Sequence, residues 1–147
     1  MNFHLVFCLF VIGMLFKSTE GGNKMDLEGL KDMLKPMSKS CKTKTGVSDA
    51  VVAGTKDGLF PKERPLMCFL KCLSVMLKAM NKKGEFTLRD LNKQIDLLIM
   101  EDLAPRMKAV VKKCVDNVPP SDDPCELAYN MVVCGYNEDS SLYFLPS

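Results

Sequence analysis

The side chains with the greatest capacity for chemistry in this 147-residue chain are seven cysteines and a single histidine. Written as spacings, the cysteines from Cys41 to Cys134 read C-x26-C-x3-C-x41-C-x10-C-x8-C. Six cysteines in an oxidising compartment predict three disulfides that staple a small domain. The remaining cysteine, Cys8, and the histidine, His4, both precede this framework. The chemistry open to the protein therefore depends on whether its first segment is kept.

That first segment has the pattern of a signal peptide. Residues 5–16, LVFCLFVIGMLF, form an apolar run of 12 residues. A signal-peptide core needs roughly 7–15 residues, whereas a membrane span needs roughly 17–25. We predict a signal peptide over residues 1–20, cleaved between 18 and 22, which makes the protein secreted and extracellular. A retained membrane anchor is the alternative.

Cleavage would remove Cys8 and His4 together and leave a mature chain without histidine. Such a chain lacks the imidazole of Ser-His-Asp and Cys-His nucleophiles and of most zinc hydrolases. We therefore expect no enzyme, no catalytic residue, no metal site and no cofactor. Charge is nearly balanced, with 20 basic and 18 acidic side chains. This balance argues against a nucleic-acid partner and against stable membrane insertion.

Apolar residues of the mature part recur at helical spacing, which predicts an all-α fold. Ser48 is suited to begin a helix, and Thr87 with Asp90 resembles a capping box. No internal repeat or linker divides residues 21–147, so we expect one compact domain. We predict six helices, over residues 25–41 with a kink at Pro36, 49–54, 65–80, 87–100, 103–114 and 124–135.

The helices restrict how the cysteines can pair. Cys68 and Cys72 lie four residues apart on the third helix, so their side chains point to nearly the same side and should not bond each other. Cys125 and Cys134 lie nine residues apart, on opposite sides of the sixth helix. Spacing alone leaves the other pairings open. It also leaves open whether the bridges only harden the domain or allow it to hold a cavity.

The cysteine spacing resembles that of the classical six-cysteine insect odorant-binding proteins, the pheromone and general odorant-binding family. The segments LKPMSKSCKTKTGVSDA, LMCFLKCL, KKGEFTLRDL and the closing LYFLP are also similar to that family. The resemblance implies a six-helix domain around an apolar cavity, stapled by Cys41–Cys72, Cys68–Cys125 and Cys114–Cys134. It further implies a carrier of hydrophobic odorants or pheromones through sensillar lymph, with an olfactory receptor or a second copy of the chain as candidate protein partners.

The resemblance also places the cavity wall mainly on the fourth, fifth and sixth helices. An inward stripe is ordinary core in any helical bundle, so core filler and cavity wall remain alternatives for each residue. Tyr136, Tyr143 and Ser74 are the candidate polar contacts for a ligand. The implied wall residues are Leu88, Leu91, Ile95, Leu103, Met107, Val110, Met131 and Val132.

The last residues, 135–147, join a polar stretch, NEDSS, to an apolar end, LYFLP. Ordering six residues costs about 6–12 kcal/mol. Burying four large apolar side chains returns about 6–12 kcal/mol. A segment so balanced suits a tail that opens and closes. In the family that the chain resembles, tails of this length fold over the cavity as a wall, so the resemblance implies that Tyr143 and Phe144 belong to the ligand site. A frayed terminus is the alternative.

Other functions remain open at this stage. A carrier of non-olfactory ligands in haemolymph or gland secretion would have the same fold. A saposin-like protein that opens its helices onto lipid would differ in cysteine spacing and would need a basic face. A secreted phospholipase A2 would need the histidine that the mature chain lacks.

Overall fold

In a computed structural model, which describes residues 23–146, the chain folds into six α-helices. They are α1 (Leu27–Thr45), α2 (Asp49–Gly54), α3 (Arg64–Met76), α4 (Leu88–Leu98), α5 (Ala104–Asn117) and α6 (Pro124–Glu138), with short 3-10 helices at Thr55–Asp57 and Ser140–Leu142. Within residues 23–146, the only β-type pairing is one isolated parallel bridge between Met25 and Ile99. The prediction of an all-α, six-helix fold is confirmed. The predicted signal peptide, with Cys8 and His4, lies outside the described residues.

Four of the six helices, α1, α2, α4 and α6, begin where a side chain satisfies one of the first N–H groups. Ser48 Oγ accepts from the N–H of Val51 at 3.2 Å, and Thr87 Oγ1 accepts from the N–H of Asp90 at 3.1 Å. Pro65 and Pro124 occupy the first turns of α3 and α6, where a missing N–H costs nothing. These starting signals are short-range, which is why the sequence located the helix starts well.

Most helix ends differ from the sequence prediction: α1 and α5 run on to Thr45 and Asn117, and α3, α4 and α6 also end at other residues than predicted. The fourth helix stops at Leu98 and not at residue 100, since Ile99 turns extended and pairs with Met25. The sixth helix continues past Gly135 to Glu138. Gly135 was expected to stop it, but its backbone is not in the left-handed conformation that ends a helix.

The third helix ends earlier than predicted, at Met76 rather than residue 80. Lys78 adopts a left-handed conformation (φ 55°), and its N–H donates to the Val75 carbonyl at 3.0 Å. The next N–H, of Ala79, donates to the Ser74 carbonyl at 2.9 Å. This pair of bonds is a Schellman cap, which normally uses glycine. A lysine in that place gives no sequence signal for the end of the helix.

Replacing Lys78 with glycine should therefore raise the unfolding free energy by about 1 kcal/mol. A residue with a Cβ costs about 1–2 kcal/mol in the left-handed conformation, and the greater flexibility of glycine in the unfolded chain offsets part of the gain from removing that cost. Urea unfolding of Lys78→Gly measures the change. The matched control is Lys71→Gly in the interior of α3, which should lose about 1 kcal/mol. An unchanged or lower stability for Lys78→Gly would contradict the account.

The third and sixth helices form the centre of the fold. Helix α3 packs against α1 and α6, while α5 packs against α4 and α6. The α3 side chains Leu66, Phe69 and Leu70 are almost fully buried. Disulfides Cys41–Cys72, Cys68–Cys125 and Cys114–Cys134 join α1 to α3, α3 to α6 and α5 to α6, with Cα–Cα distances of 5.8, 4.5 and 5.8 Å. These pairs are the ones that the resemblance implies, and they hold α6 from both sides.

Candidate ligand-binding cavity

A cavity of about 210 Å³ lies between the helices and the C-terminal tail. Every α-helix except α2 contributes to its wall, and the tail closes one side with four consecutive residues, 142–145. The wall is overwhelmingly apolar. Its aliphatic and aromatic residues are Leu30, Leu70, Leu73, Leu77, Ala79, Phe86, Leu91, Ile95, Leu98, Ile99, Met107, Val110, Val111, Met131, Val132, Leu142, Phe144 and Leu145.

Most residues assigned to the site from sequence lie on this wall. The structure brings together Leu91, Ile95, Met107, Val110, Met131, Val132, Tyr143 and Phe144. Two assigned residues lie elsewhere, contrary to the expectation. Leu88 is the first residue of α4 and does not line the cavity. Leu103 directly precedes α5 and packs against the main core instead.

Sequence reasoning missed a second group of wall residues, because the resemblance placed the wall mainly on the last three helices. Helix α1 supplies Leu30, and α3 supplies Leu70 and Leu73. Helix α3 is apolar around much of its circumference, so the same helix can face the core on one side and the cavity on another. That breadth was visible in the sequence and was the available signal.

Five wall residues carry polar side chains: Ser74, Gln94, Tyr136, Asp139 and Tyr143. Ser74 Oγ donates to the Leu70 carbonyl at 2.9 Å, as serines inside helices often do. The hydroxyl of Tyr136 donates to the Lys56 carbonyl at 3.2 Å. Both hydroxyl protons are therefore held by the protein itself.

Tyr143 is tied to the segment that follows α2. Thr55 is buried, and its hydroxyl donates to the Val52 carbonyl at 2.6 Å. Because that proton is committed, the hydrogen bond between Thr55 and Tyr143 has the Tyr143 hydroxyl as its donor. Burial raises the pKa of Tyr143 to about 12, so this donor stays protonated at physiological pH.

The three tyrosines of the chain all anchor one segment, residues 55–60. Their hydroxyls bond the Phe60 carbonyl (Tyr129, 2.6 Å), the Lys56 carbonyl (Tyr136, 3.2 Å) and the Thr55 hydroxyl (Tyr143). Tyr136 also packs edge-to-face against Tyr143, with ring centroids 5.6 Å apart. Helix α6 and the tail thus fix this segment beside the cavity.

The other end of the tail is held by an ion pair to α5. Arg106 donates from Nε and Nη2 to Asp139 Oδ2, at 3.0 and 2.6 Å, and also bonds the Ser141 hydroxyl. Asp139 Oδ1 accepts from the Ser141 N–H and hydroxyl. The Ser141 and Arg106 hydrogen bonds hold the pKa of Asp139 below its ordinary value of 3.8.

The lowered pKa fixes the pH range in which this attachment weakens. A carboxyl group whose pKa is lower in the folded than in the unfolded protein stabilises the fold at any pH above its unfolded pKa. That stability is lost as the pH falls through the folded-state pKa. We therefore expect ligand affinity to change less than twofold between pH 7 and pH 5 and to fall below about pH 4. Probe titrations across this range test the prediction, with Asp139→Asn as the variant that removes the titrating group. A tenfold drop between pH 7 and pH 6 would contradict it.

The described part of the chain offers little for other kinds of site. None of its helices is both long enough and apolar enough to cross a bilayer. Nor do residues 23–146 bring three metal-ligating side chains together.

Comparison with known proteins decides the family. The model of the PBP/GOBP family matches residues 23–138. The chain belongs to the PBP/GOBP family. Membership agrees with the all-α fold and the three disulfides, and it supports a role as a carrier of small ligands.

Individual members of the odorant-binding class are similar over nearly their whole length. General odorant-binding protein 72 of Anopheles gambiae is 24% identical over 117 residues, which cover 80% of this chain and 96% of that protein. Odorant binding protein 5 of Apis mellifera is 26% identical, with a TM-score of 0.74, covering 84% of this chain and 99% of that one. Odorant Binding Protein 7 of Anopheles gambiae, solved with four disulfide bridges and an azo compound, shares the fold at 24% identity and a TM-score of 0.62, covering 78% and 94%.

Proposed function

We propose that this PBP/GOBP-family chain is a secreted carrier that binds small hydrophobic molecules, such as odorants or pheromones, and moves them through aqueous sensillar lymph. The observation that carries the proposal is the apolar cavity closed by the C-terminal tail. An empty apolar space of this size costs stability that a ligand can return by restoring contacts with the wall. The azo compound bound by the similar Anopheles gambiae protein supports the same class of ligand.

The size and lining of the cavity set the kind of ligand. An apolar cavity of about 150 Å³ is enough to hold benzene. The cavity here, about 210 Å³, therefore suits a somewhat larger apolar molecule. Its burial is worth roughly 25 cal/mol per Å² of apolar surface, less the cost of lost ligand freedom, so micromolar affinity is expected.

The tail is proposed to act as the lid of this cavity. Leu142 and Leu145 are buried within the core cluster, whereas Tyr143 and Phe144 are half-buried on its edge. The hydrogen bond from Tyr143 and the ion pair at Asp139 hold the lid at two points. Breaking either attachment leaves the wall residues in place but should speed ligand exchange.

Displacement of a fluorescent apolar probe from residues 21–147 is the direct test of the carrier. A panel of volatiles and lipids, measured at pH 7 and pH 5, should include compounds that displace the probe at micromolar concentration. Failure of every apolar compound to displace it would refute the proposal. Co-sedimentation with liposomes separates the saposin-like alternative, which predicts lipid binding by the whole protein.

Gly135 allows the cavity itself to be tested. A Cβ at this helical position would meet only Val110 Cγ1, at 4.0 Å, and Gly135 lies on the wall. Gly135→Leu should therefore lower probe affinity at least tenfold by filling the cavity, while helix propensity keeps the unfolding free energy equal or higher. Gly54→Leu, in a helix away from the cavity, is the matched control and should bind like the wild type. Normal binding by Gly135→Leu would show that the probe sits elsewhere.

A further inference from the structure

The hydrogen-bonding groups on the cavity wall point to one residue as the polar contact of the ligand. We infer that the Gln94 side-chain amide binds a single uncharged oxygen function, a carbonyl or a hydroxyl, on an otherwise apolar molecule. This inference rests on the proposed carrier function and adds the chemical class of its ligand.

The first step is the state of the other polar side chains on the wall. The hydroxyl protons of Ser74, Tyr136 and Tyr143 are donated to protein acceptors. The Asp139 carboxylate has both oxygens engaged, by Arg106 and Ser141. None of these four side chains has a free proton to donate, so none can bind a ligand carbonyl.

Gln94 is different, because within residues 23–146 its amide takes part in no side-chain hydrogen bond while the residue lines the cavity. In this part of the chain, Asn92 Oδ1 is the only fully buried side-chain nitrogen or oxygen without a hydrogen-bond partner. The Gln94 amide is therefore unpartnered yet still accessible. An amide carries two N–H donors and a carbonyl acceptor, so it can bind either a carbonyl or a hydroxyl.

The position of Gln94 on α4 supports this assignment. Leu91, Ile95 and Leu98 form the cavity-facing stripe of the helix. At about 100° per residue, Gln94 lies on one flank of that stripe and Leu88 on the other. In the structure, Gln94 lines the cavity and Leu88 does not. A polar residue thus occupies a place that the apolar pattern alone would reserve for core.

The charge of the wall argues against an anionic ligand. Among the described residues, 23–146, Asp139 is the one charged side chain on the wall, and its lowered pKa keeps it ionised at neutral pH. The guanidinium of Arg106 is already bonded to that carboxylate. A ligand carboxylate would therefore lose water without gaining a free cation. This favours neutral aldehydes, ketones, esters and alcohols over fatty-acid anions.

The test compares 1-decanol, decanal, 1-chlorodecane and decanoate, which share one chain length, as competitors of a fluorescent apolar probe at pH 7. In the wild type, decanal and decanol should bind about three- to tenfold more tightly than 1-chlorodecane, the range expected for one net hydrogen bond. Decanoate should bind more weakly than decanol. In Gln94→Leu, decanal should fall to within twofold of 1-chlorodecane, while 1-chlorodecane itself keeps its affinity.

Asn92→Leu is the matched control, because it removes an amide from the same helix at a position off the wall and should preserve the wild-type order. If Gln94→Leu does not fold, Gln94→Met tests the same loss with a side chain of equal length. Retention of the decanal preference after removal of the amide would overturn the inference. Equal displacement by all four compounds would also overturn it but leave the carrier intact, whereas no displacement by any would refute the carrier itself.

Discussion

Deletion of the tail from Ser140 onward should lower the affinity for an apolar probe about 10- to 100-fold. The deletion removes four consecutive wall residues, including Leu142 and Leu145, which are buried in the folded chain. A ligand that loses roughly 60–120 Å² of apolar contact loses about 1.5–3 kcal/mol, which is this range of affinity. Probe titration of the truncated protein measures it directly.

A point variant separates the wall from its attachment. Tyr143→Phe keeps the aromatic ring on the wall and removes only the hydrogen bond to Thr55. It should keep the equilibrium affinity within about threefold but release the probe faster in stopped-flow experiments. Tyr129→Phe, which loses a hydrogen bond to the same segment but lies on α6 and not on the wall, is the control. For the tail deletion itself, the contradicting outcome is a near-normal probe affinity, which would mean that the helices form the binding site without the tail.

Removal of the Cys68–Cys125 bridge should cost about 4 kcal/mol of unfolding free energy, the largest loss among the three disulfides. This bridge closes the longest loop, with a sequence separation of 57, against 31 for Cys41–Cys72 and 20 for Cys114–Cys134. A longer loop has more conformational freedom in the unfolded chain, so the bridge restricts it more. Removal of Cys114–Cys134, which closes the shortest loop, should cost about 3 kcal/mol of unfolding free energy.

Denaturant unfolding of the paired alanine variants, Cys68→Ala with Cys125→Ala and Cys114→Ala with Cys134→Ala, tests this order. Both pairs retain the other two bridges, and both join a helix to α6. A smaller loss for the Cys68–Cys125 pair would indicate that packing around the sulfurs, and not loop closure, dominates. Probe binding by each variant would then report whether α6 still holds its side of the cavity.

Helix starts and the disulfide-rich helical class could be read from the sequence because their causes are local. Ser48 and Thr87 accept hydrogen bonds from N–H groups three residues away, and that spacing is visible in one dimension. Helix ends were harder, since Lys78 takes a conformation usually left to glycine and Gly135 does not. Met80 is buried two residues after Lys78, and α6 continues through Gly135 to Glu138.

The sequence by itself therefore determined the fold class and the family, and the cysteine spacing was a large part of the reason. Helical periodicity predicted the all-α fold, and the cysteine spacing together with four resembling segments indicated the family. Only the tertiary structure decided which flank of α4 meets the cavity, so that Gln94 lines it and Leu88 does not. It also decided that Tyr143 donates to Thr55, 88 residues away in the chain. Both depend on how helices cross and where the tail returns, which short-range spacing does not encode.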